Sequence, residues 1–357
     1  MSLFDKDMLS SDETVIKNEN ALNFEFVPKM LPFREAQQKY IANCIKPLLQ
    51  ERNGKNLLVY GKPGIGKTAA IKWVFRDLEE ETDDVIPVYI NCWQSNTSYK
   101  MMISICEQIG YTFTQNKRSE ELFTVIQQKL NKKAAVFAFD EIDKAEELDL
   151  IYSILEGIYR KTILLITNYK ESFLDIDERI KSRLTPDSVE FKTYTKNETI
   201  EILKQRMDCA LYPNVMEKEA FELIADKAFS VGDIRSGIYL IREAALAAED
   251  RSSKKIVVED VKKAISKLDE FKIKSSDELE QGTKILLETV KENSGQKSGD
   301  LYKIYKKKGG DGTYKTFQRR VEKLAKNKFI SLEKISGGAE GTTSIITYAR
   351  EKKLDEF

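Results

Sequence analysis

The octapeptide Gly61-Lys62-Pro63-Gly64-Ile65-Gly66-Lys67-Thr68 constrains this chain more than any other feature of its sequence. It is a complete G-x-x-x-x-G-K-[ST] pattern. It follows the apolar run Asn56-Leu57-Leu58-Val59-Tyr60 and precedes a helical pattern from Ala69 to Leu78. A buried strand, a glycine-rich turn and a helix in that order place main-chain N–H groups and a helix N-terminus around an anion. Pro63, Gly64, Ile65, Gly66, Lys67, Thr68 and Ala69 are the expected contacts to a nucleotide polyphosphate. Lys67 is expected to reach the β- and γ-phosphates, and Thr68 to hold Mg²⁺ through its hydroxyl. The expected cofactors are ATP or ADP with magnesium.

Further apolar runs fall at residues 85–90, 134–139 and 162–166, separated by helical patterns. Strands alternating with helices predict a parallel sheet covered on both faces. At the end of one run stands Phe139-Asp140-Glu141-Ile142-Asp143. Asp140 is placed to hold the magnesium hydration shell and Glu141 to polarise the attacking water. The chain has no histidine, so a general base must come from a carboxylate and a metal from the hard, oxygen-ligated class. Thr167-Asn168 follows the next run, where the Asn168 amide can orient water against a γ-phosphate, although asparagine after a strand is more often only a turn residue. Arg179 and Arg183 lie beyond the sheet. Either can be a surface salt-bridge partner, and one of them, Arg183 above all, can be an arginine finger.

Beyond Phe191 the patterns are helical. Thr195-Lys196-Asn197-Glu198 has the form of a capping box, and helices are expected at 217–229, 234–249 and 258–267. Arg235, in Gly232-Asp233-Ile234-Arg235, can fold over the γ-phosphate and report nucleotide state. Residues 271–277 read as a linker and residues 1–20 as a flexible lead-in. Three helices and a glycine-broken hairpin then predict a winged helix. From Lys284 onward there are 17 Lys and Arg against 10 Asp and Glu, an excess of seven that the preceding acidic residues balance. In the second helix of its helix-turn-helix pair, Phe317, Val321 and Leu324 share the core face. Lys315, Gln318, Arg319 and Lys323 point away toward a major groove. Gly337, Gly338 and Thr342 form a wing small enough for a minor groove. The alternative is a winged helix that binds protein.

The four cysteines form no CxxC pair and read as buried free thiols. No apolar run approaches the ~18 residues of a membrane span, and the N-terminus lacks a signal-peptide pattern, so a cytoplasmic protein with no membrane partner is expected.

In motif order, helical lid and terminal winged helix, the chain resembles the archaeal origin-recognition and cell-division-cycle initiator family of AAA+ ATPases. Residues 27–35, Asn91-Cys92-Trp93 and 232–235 carry the resemblance, which runs from about Ile16 to Ala349. It implies an α/β fold with a flexible segment at 1–20, a nucleotide-binding domain at 21–192, a helical lid at 193–273 and a winged helix at 274–357. It also implies that Val27, Pro28 and Arg34 line the adenine, and that an insertion within Ser95 to Arg118 touches duplex DNA. Phe33 stands where the family usually has histidine, and Arg183 where many archaeal members lack arginine. The function implied is ATP-switched recognition of a replication origin with slow hydrolysis, with other initiator protomers and the replicative helicase as partners. Two alternatives share the loop: a nucleotide-gated signalling or transcription switch, and a clamp-loader-like motor.

Overall fold

The computed structural model describes residues 14–28, 30–173, 176–277, 281–326, 329–337 and 341–348. They fall into two compact units, one reaching to Ile265 and one beginning at Ser266.

The first unit is built on five parallel strands: β1 (Leu57–Tyr60), β2 (Val85–Asn91), β3 (Ala134–Asp140), β4 (Lys161–Thr167) and β5 (Asp187–Glu190), in the spatial order β2-β3-β4-β1-β5. β3 is buried along its whole length, as its unbroken apolar run requires of a central strand covered on both faces. Successive residues serve opposite faces. Phe137, Phe139, Ile163 and Leu165 pack beneath α3 (Ser98–Gln108), α4 (Ser119–Leu130), α5 (Asp149–Gly157) and α6 (Glu178–Leu184). Val136, Ala138, Leu164 and Ile166 pack beneath α1 (Glu35–Ile45) and α2 (Lys67–Glu81). β1 sits between β4 and β5, so the chain leaves it for the far side of the sheet and the strand order switches there. The crevice at such a switch, outside the carboxyl ends of the strands, is where open α/β sheets bind ligands. β5 has no apolar run and is held by its register against β1, Leu57 opposite Asp187 through Tyr60 opposite Glu190.

Four helices follow: α7 (Lys196–Ala210), α8 (Lys218–Val231), α9 (Ile234–Asp250) and α10 (Val258–Asp277). The capping box forms as its sequence predicts, with Glu198 accepting from the Thr195 N–H at 2.7 Å and Thr195 Oγ1 from the Glu198 N–H at 3.3 Å. Gly232, left-handed at φ 72°, ends α8, and Asp233 caps α9 one residue later.

Three expectations are corrected here. Residues 14–20 are no loose lead-in. Val15 N–H bonds to Glu249 Oε1 at 2.9 Å, and the Lys17 and Asn18 N–H groups bond to Ala210 O at 2.8 and 2.9 Å. Val15, Ala21 and Leu22 are buried, and the Arg206 guanidinium grips Phe26 O at 3.2 Å, so residues 14–26 form a strap over the helical lid. Too few apolar residues with no periodicity hid it. Second, α10 runs through residues 271–277, because this stretch has charge and serine but neither glycine nor proline to stop a helix. Third, Cys44, Cys92 and Cys106 are buried free thiols, but Cys209 is exposed on α7. No helix among the described residues is long and apolar enough to cross a membrane.

The second unit contains α11 (Gln281–Glu292), β6 (Gln296–Lys297), α12 (Ser298–Lys307), α13 (Tyr314–Lys326), β7 (Ile330–Gly337) and β8 (Gly341–Tyr348). The strands form an antiparallel sheet in the order β6-β8-β7, giving the helix and hairpin succession expected of a winged helix. Leu286, Leu301, Tyr305, Phe317, Val321, Leu324 and Ile346 close its core. The two-residue strand β6 is too short to register in a sequence pattern.

Candidate functional site

The phosphate loop runs from β1 into α2. Gly64 and Gly66 have φ of 72° and 90°, a region open to glycine and costly for other residues. Gly64 lies so close to the Asp233 carboxylate that a Cβ would stand 1.9 Å from Oδ1. At Gly66 a Cβ would meet the Tyr194 hydroxyl at 2.9 Å. Ile65, wholly buried, anchors the loop to the core, while Pro63 is exposed and Ala69 half-buried. Arg34, 4% exposed, supports the loop from behind. It donates to Ile65 O at 3.1 and 3.2 Å and to Lys192 O at 2.7 Å, and stacks 3.8 Å from the Tyr194 ring centroid. Val27 and Pro28 are half-buried, with Pro28 O accepting from Arg76 at 3.3 Å.

Lys67 Nζ is held across the loop by Gly61 O at 2.6 Å, Lys62 O at 2.9 Å and Asn168 Oδ1 at 2.9 Å. Burial lowers its pKa to about 8, against the opposing pull of Asp140. All three acceptors are uncharged, so a polyphosphate offers the ammonium a far better partner. Asn168 is thus brought to the lysine.

Thr68 Oγ1 donates to Asp140 Oδ2 at 2.5 Å, so the first turn of α2 and the end of β3 converge. Oδ1 of Asp140 accepts the Glu141 N–H at 2.9 Å, and Oδ2 also accepts the Tyr89 hydroxyl at 2.8 Å. A hydroxyl and a carboxylate are the hard donors magnesium takes alongside water and phosphate oxygens, so Thr68 and Asp140 fit that ion. Burial and the neighbouring Asp140 push the Tyr89 phenol well above its usual range, which keeps it a proton donor. Glu141 holds the left-handed conformation at φ 55°, a strain of roughly 1–3 kcal/mol that clusters at functional sites. Burial, then Asp140 and Asp143, raise its pKa, which strengthens it as a base. Arg235 is clamped by Asp233, Nη2 to Oδ2 at 2.8 Å and Nε to Oδ1 at 3.1 Å. From there it acts electrostatically on both Lys67 and Glu141. Asp233 ties lid to loop twice, through its contact with Gly64 and because the next N–H, from Ile234, reaches Gly64 O at 3.3 Å.

Arg183 and Arg179, the candidate arginine fingers, make their contacts elsewhere. Arg183 is paired with Glu156 of α5 and stands 4.9 Å over the Tyr152 ring. Arg179 pairs with Asp177 at 3.1 Å. Sequence reasoning missed Tyr89, Tyr194 and Asp233. Tyr89 lies two positions before Asn91, which parallel register aligns with Asp140, and Asp233 stands two residues before Arg235 in the same tetrapeptide.

On α13, Lys315, Gln318 and Arg319 are exposed, opposite the buried Phe317, Val321 and Leu324. Gly337 ends β7. Gly338 lies outside the described residues, as do the side chains of Lys323 and Thr342. Within Ser95 to Arg118, α3 sinks Met101, Ile105 and Cys106 into the core, leaving the loop after it exposed, with Phe113 at 77%.

Two family models match parts of the chain: an AAA domain at residues 50–170 and a Cdc6 AAA+ ATPase-type lid domain at residues 200–266. ORC1-type DNA replication protein 1 of Archaeoglobus fulgidus is 32% identical over 347 residues, covering 91% of this chain and 84% of its own. The chain belongs to the family of archaeal ORC1-type DNA replication proteins. As a member of this family it is an AAA+ ATPase and binds nucleotide. ORC1-type DNA replication protein 2 of Methanosarcina mazei is 29% identical over 95% of both chains. The fold is similar to that of the Aeropyrum pernix ORC1 protein solved in complex with DNA, with a TM-score of 0.72, 24% identity and coverage of 96% and 95%. Among ORC1-type proteins this chain therefore matches over nearly its whole length.

Proposed function

We propose that this ORC1-type protein is a replication initiator that recognises origin duplex DNA, with ATP occupancy as its conformational switch and slow hydrolysis as the reset. The observation that carries the reading is α13. Its inner face is a sealed apolar core, while Lys315, Gln318 and Arg319 stand exposed on the other side. Arg319 and Gln318 suit base edges, and Lys315 suits a phosphate. Gly337, Gly338, Thr342 and Lys323 would extend this contact through the wing and the end of the helix. The printed names of the replication relatives and the DNA complex of the A. pernix protein support the same assignment. The exposed loop following α3 would add a second DNA contact.

In the nucleotide site, Lys67 would pair with the β- and γ-phosphates, and Thr68 and Asp140 would hold magnesium. Magnesium would neutralise charge that develops on the phosphates. Glu141 would take the proton of the attacking water, Asn168 would orient that water, and Arg235 would sense the γ-phosphate. Val27, Pro28 and Arg34 would border the base, with Arg34 doing so while bracing the loop. Arg183 would act on the site of a neighbouring protomer. Helicase loading and a cytoplasmic location belong to this reading.

The test is a fluorescence-anisotropy titration of duplexes from the source genome by the full chain. Arg319→Ala should weaken specific binding by roughly 1–3 kcal/mol while leaving ATP binding intact. Lys67→Ala should abolish ATP binding while leaving the winged helix folded. Unaltered DNA affinity in Arg319→Ala would remove α13 from the recognition role.

A further inference from the structure

Tyr89 belongs to neither the phosphate loop nor the acidic pair, yet it touches the residue on which both converge. Its hydroxyl and that of Thr68 share one oxygen of Asp140, Oδ2, at 2.8 and 2.5 Å, while Oδ1 takes the Glu141 N–H at 2.9 Å. The torsion that spins an aspartate carboxyl group is broad and poorly determined by its own sterics, so neighbouring donors fix it. Here they come from three separate elements: α2, β2 and the backbone after β3.

Tyr89 is itself held firmly. β2 is an edge strand of the sheet, so one side of its backbone lacks a neighbouring strand. Gln108, at the end of α3, fills that place: its Oε1 accepts the Tyr89 N–H at 2.9 Å and its Nε2 donates to Tyr89 O at 2.8 Å. The Lys72 ammonium, one turn along α2 from Thr68, lies 4.8 Å from the centroid of the Tyr89 ring. A phenol that merely satisfied its own burial would need one acceptor of any kind. This one is anchored through backbone, ring and hydroxyl, and its hydroxyl is spent on the carboxylate that faces the loop threonine.

We propose that Tyr89 is a positioning residue for the magnesium ion that accompanies the nucleotide. Its hydroxyl fixes the Asp140 carboxylate against Thr68, so that their oxygens are already in place when the ion arrives with the phosphates. The proposal rests on the magnesium reading of Thr68 and Asp140. Outer groups of this kind typically contribute 10–100-fold to metal affinity.

The test uses the full-length protein and Tyr89→Phe, which keeps the ring against Lys72 and deletes only the hydroxyl. Binding of a fluorescent ATP analogue is measured in EDTA and across a Mg²⁺ titration, and Mn²⁺ binding to the ATP complex is followed by electron paramagnetic resonance. The expected result is unchanged affinity in EDTA, with about a tenfold rise in the Mg²⁺ concentration for half-maximal strengthening and a matching loss in Mn²⁺ affinity. Equal metal requirements in both proteins would overturn the proposal and leave the phenol a packing residue. Equal weakening with and without metal would also overturn it, by assigning Tyr89 to the loop as a whole. Wild-type binding indifferent to Mg²⁺ would instead sink the magnesium reading itself, and the proposal with it.

Discussion

Lys67 carries a charge into a place where burial opposes it. Its pKa falls from 10.5 to about 8, so between those values the unfolded chain binds the proton more tightly. The burial penalty is therefore complete below pH 8 and is relieved as pH rises from 8 toward 10.5. A bound triphosphate reverses the shift, because it restores the preference for the ammonium. ATP binding should then take up a proton above pH 8, and affinity should fall by about tenfold per pH unit there. Calorimetric titrations in buffers of different ionisation enthalpy check both effects. Glu141 poses the complementary problem of a base held in a strained backbone and pushed toward protonation by its neighbours. Glu141→Gln should bind ATP with wild-type affinity and hydrolyse it 10²–10⁴-fold more slowly, read by phosphate release in single turnover. The positions of these residues were legible because each lies at a fixed offset from a glycine-rich turn or a strand end. The approach of Asp233 to Gly64 was not, since it brings a lid helix to the loop from more than 160 residues away.

At the scale of elements, sequence is most informative where a boundary has its own chemistry. The start of α7 is written into Thr195 and Glu198, and both reciprocal bonds form. Thr195→Ala should destabilise the first unit by about 1 kcal/mol, measured by urea unfolding of the ATP-free protein. Buried strands were equally legible, since β3 and β4 carry uninterrupted apolar runs at 134–139 and 163–166. β5 was not, because Asp187-Ser188-Val189-Glu190 pairs through its backbone and packs only Val189 against the core. The end of α10 was not legible, because charged residues and serine occur alike in a helix and in a linker.

For the molecule as a whole, a net charge of zero conceals a division. The seven excess cations from Lys284 onward belong largely to the unit that displays Lys315 and Arg319, so DNA affinity should fall steeply with salt. In anisotropy titrations at several salt concentrations, Lys315→Ala should reduce the log–log slope by about one. Arg319→Ala should instead reduce the preference among sequences. The opposite pattern would exchange their roles.

The strap over the lid bears on movement. The chain lies on the lid at residues 14–26, crosses to brace the phosphate loop at Arg34, and returns to the lid at Thr195. Two crossings therefore join lid to sheet, one through the backbone at Thr195 and one through the hydrogen-bonded strap. A door hung on two pins can swing about the line between them but resists twisting out of its frame. Two such attachments favour rotation of the lid about the line between them over twist, which bounds how a bound nucleotide can displace Asp233 and Arg235.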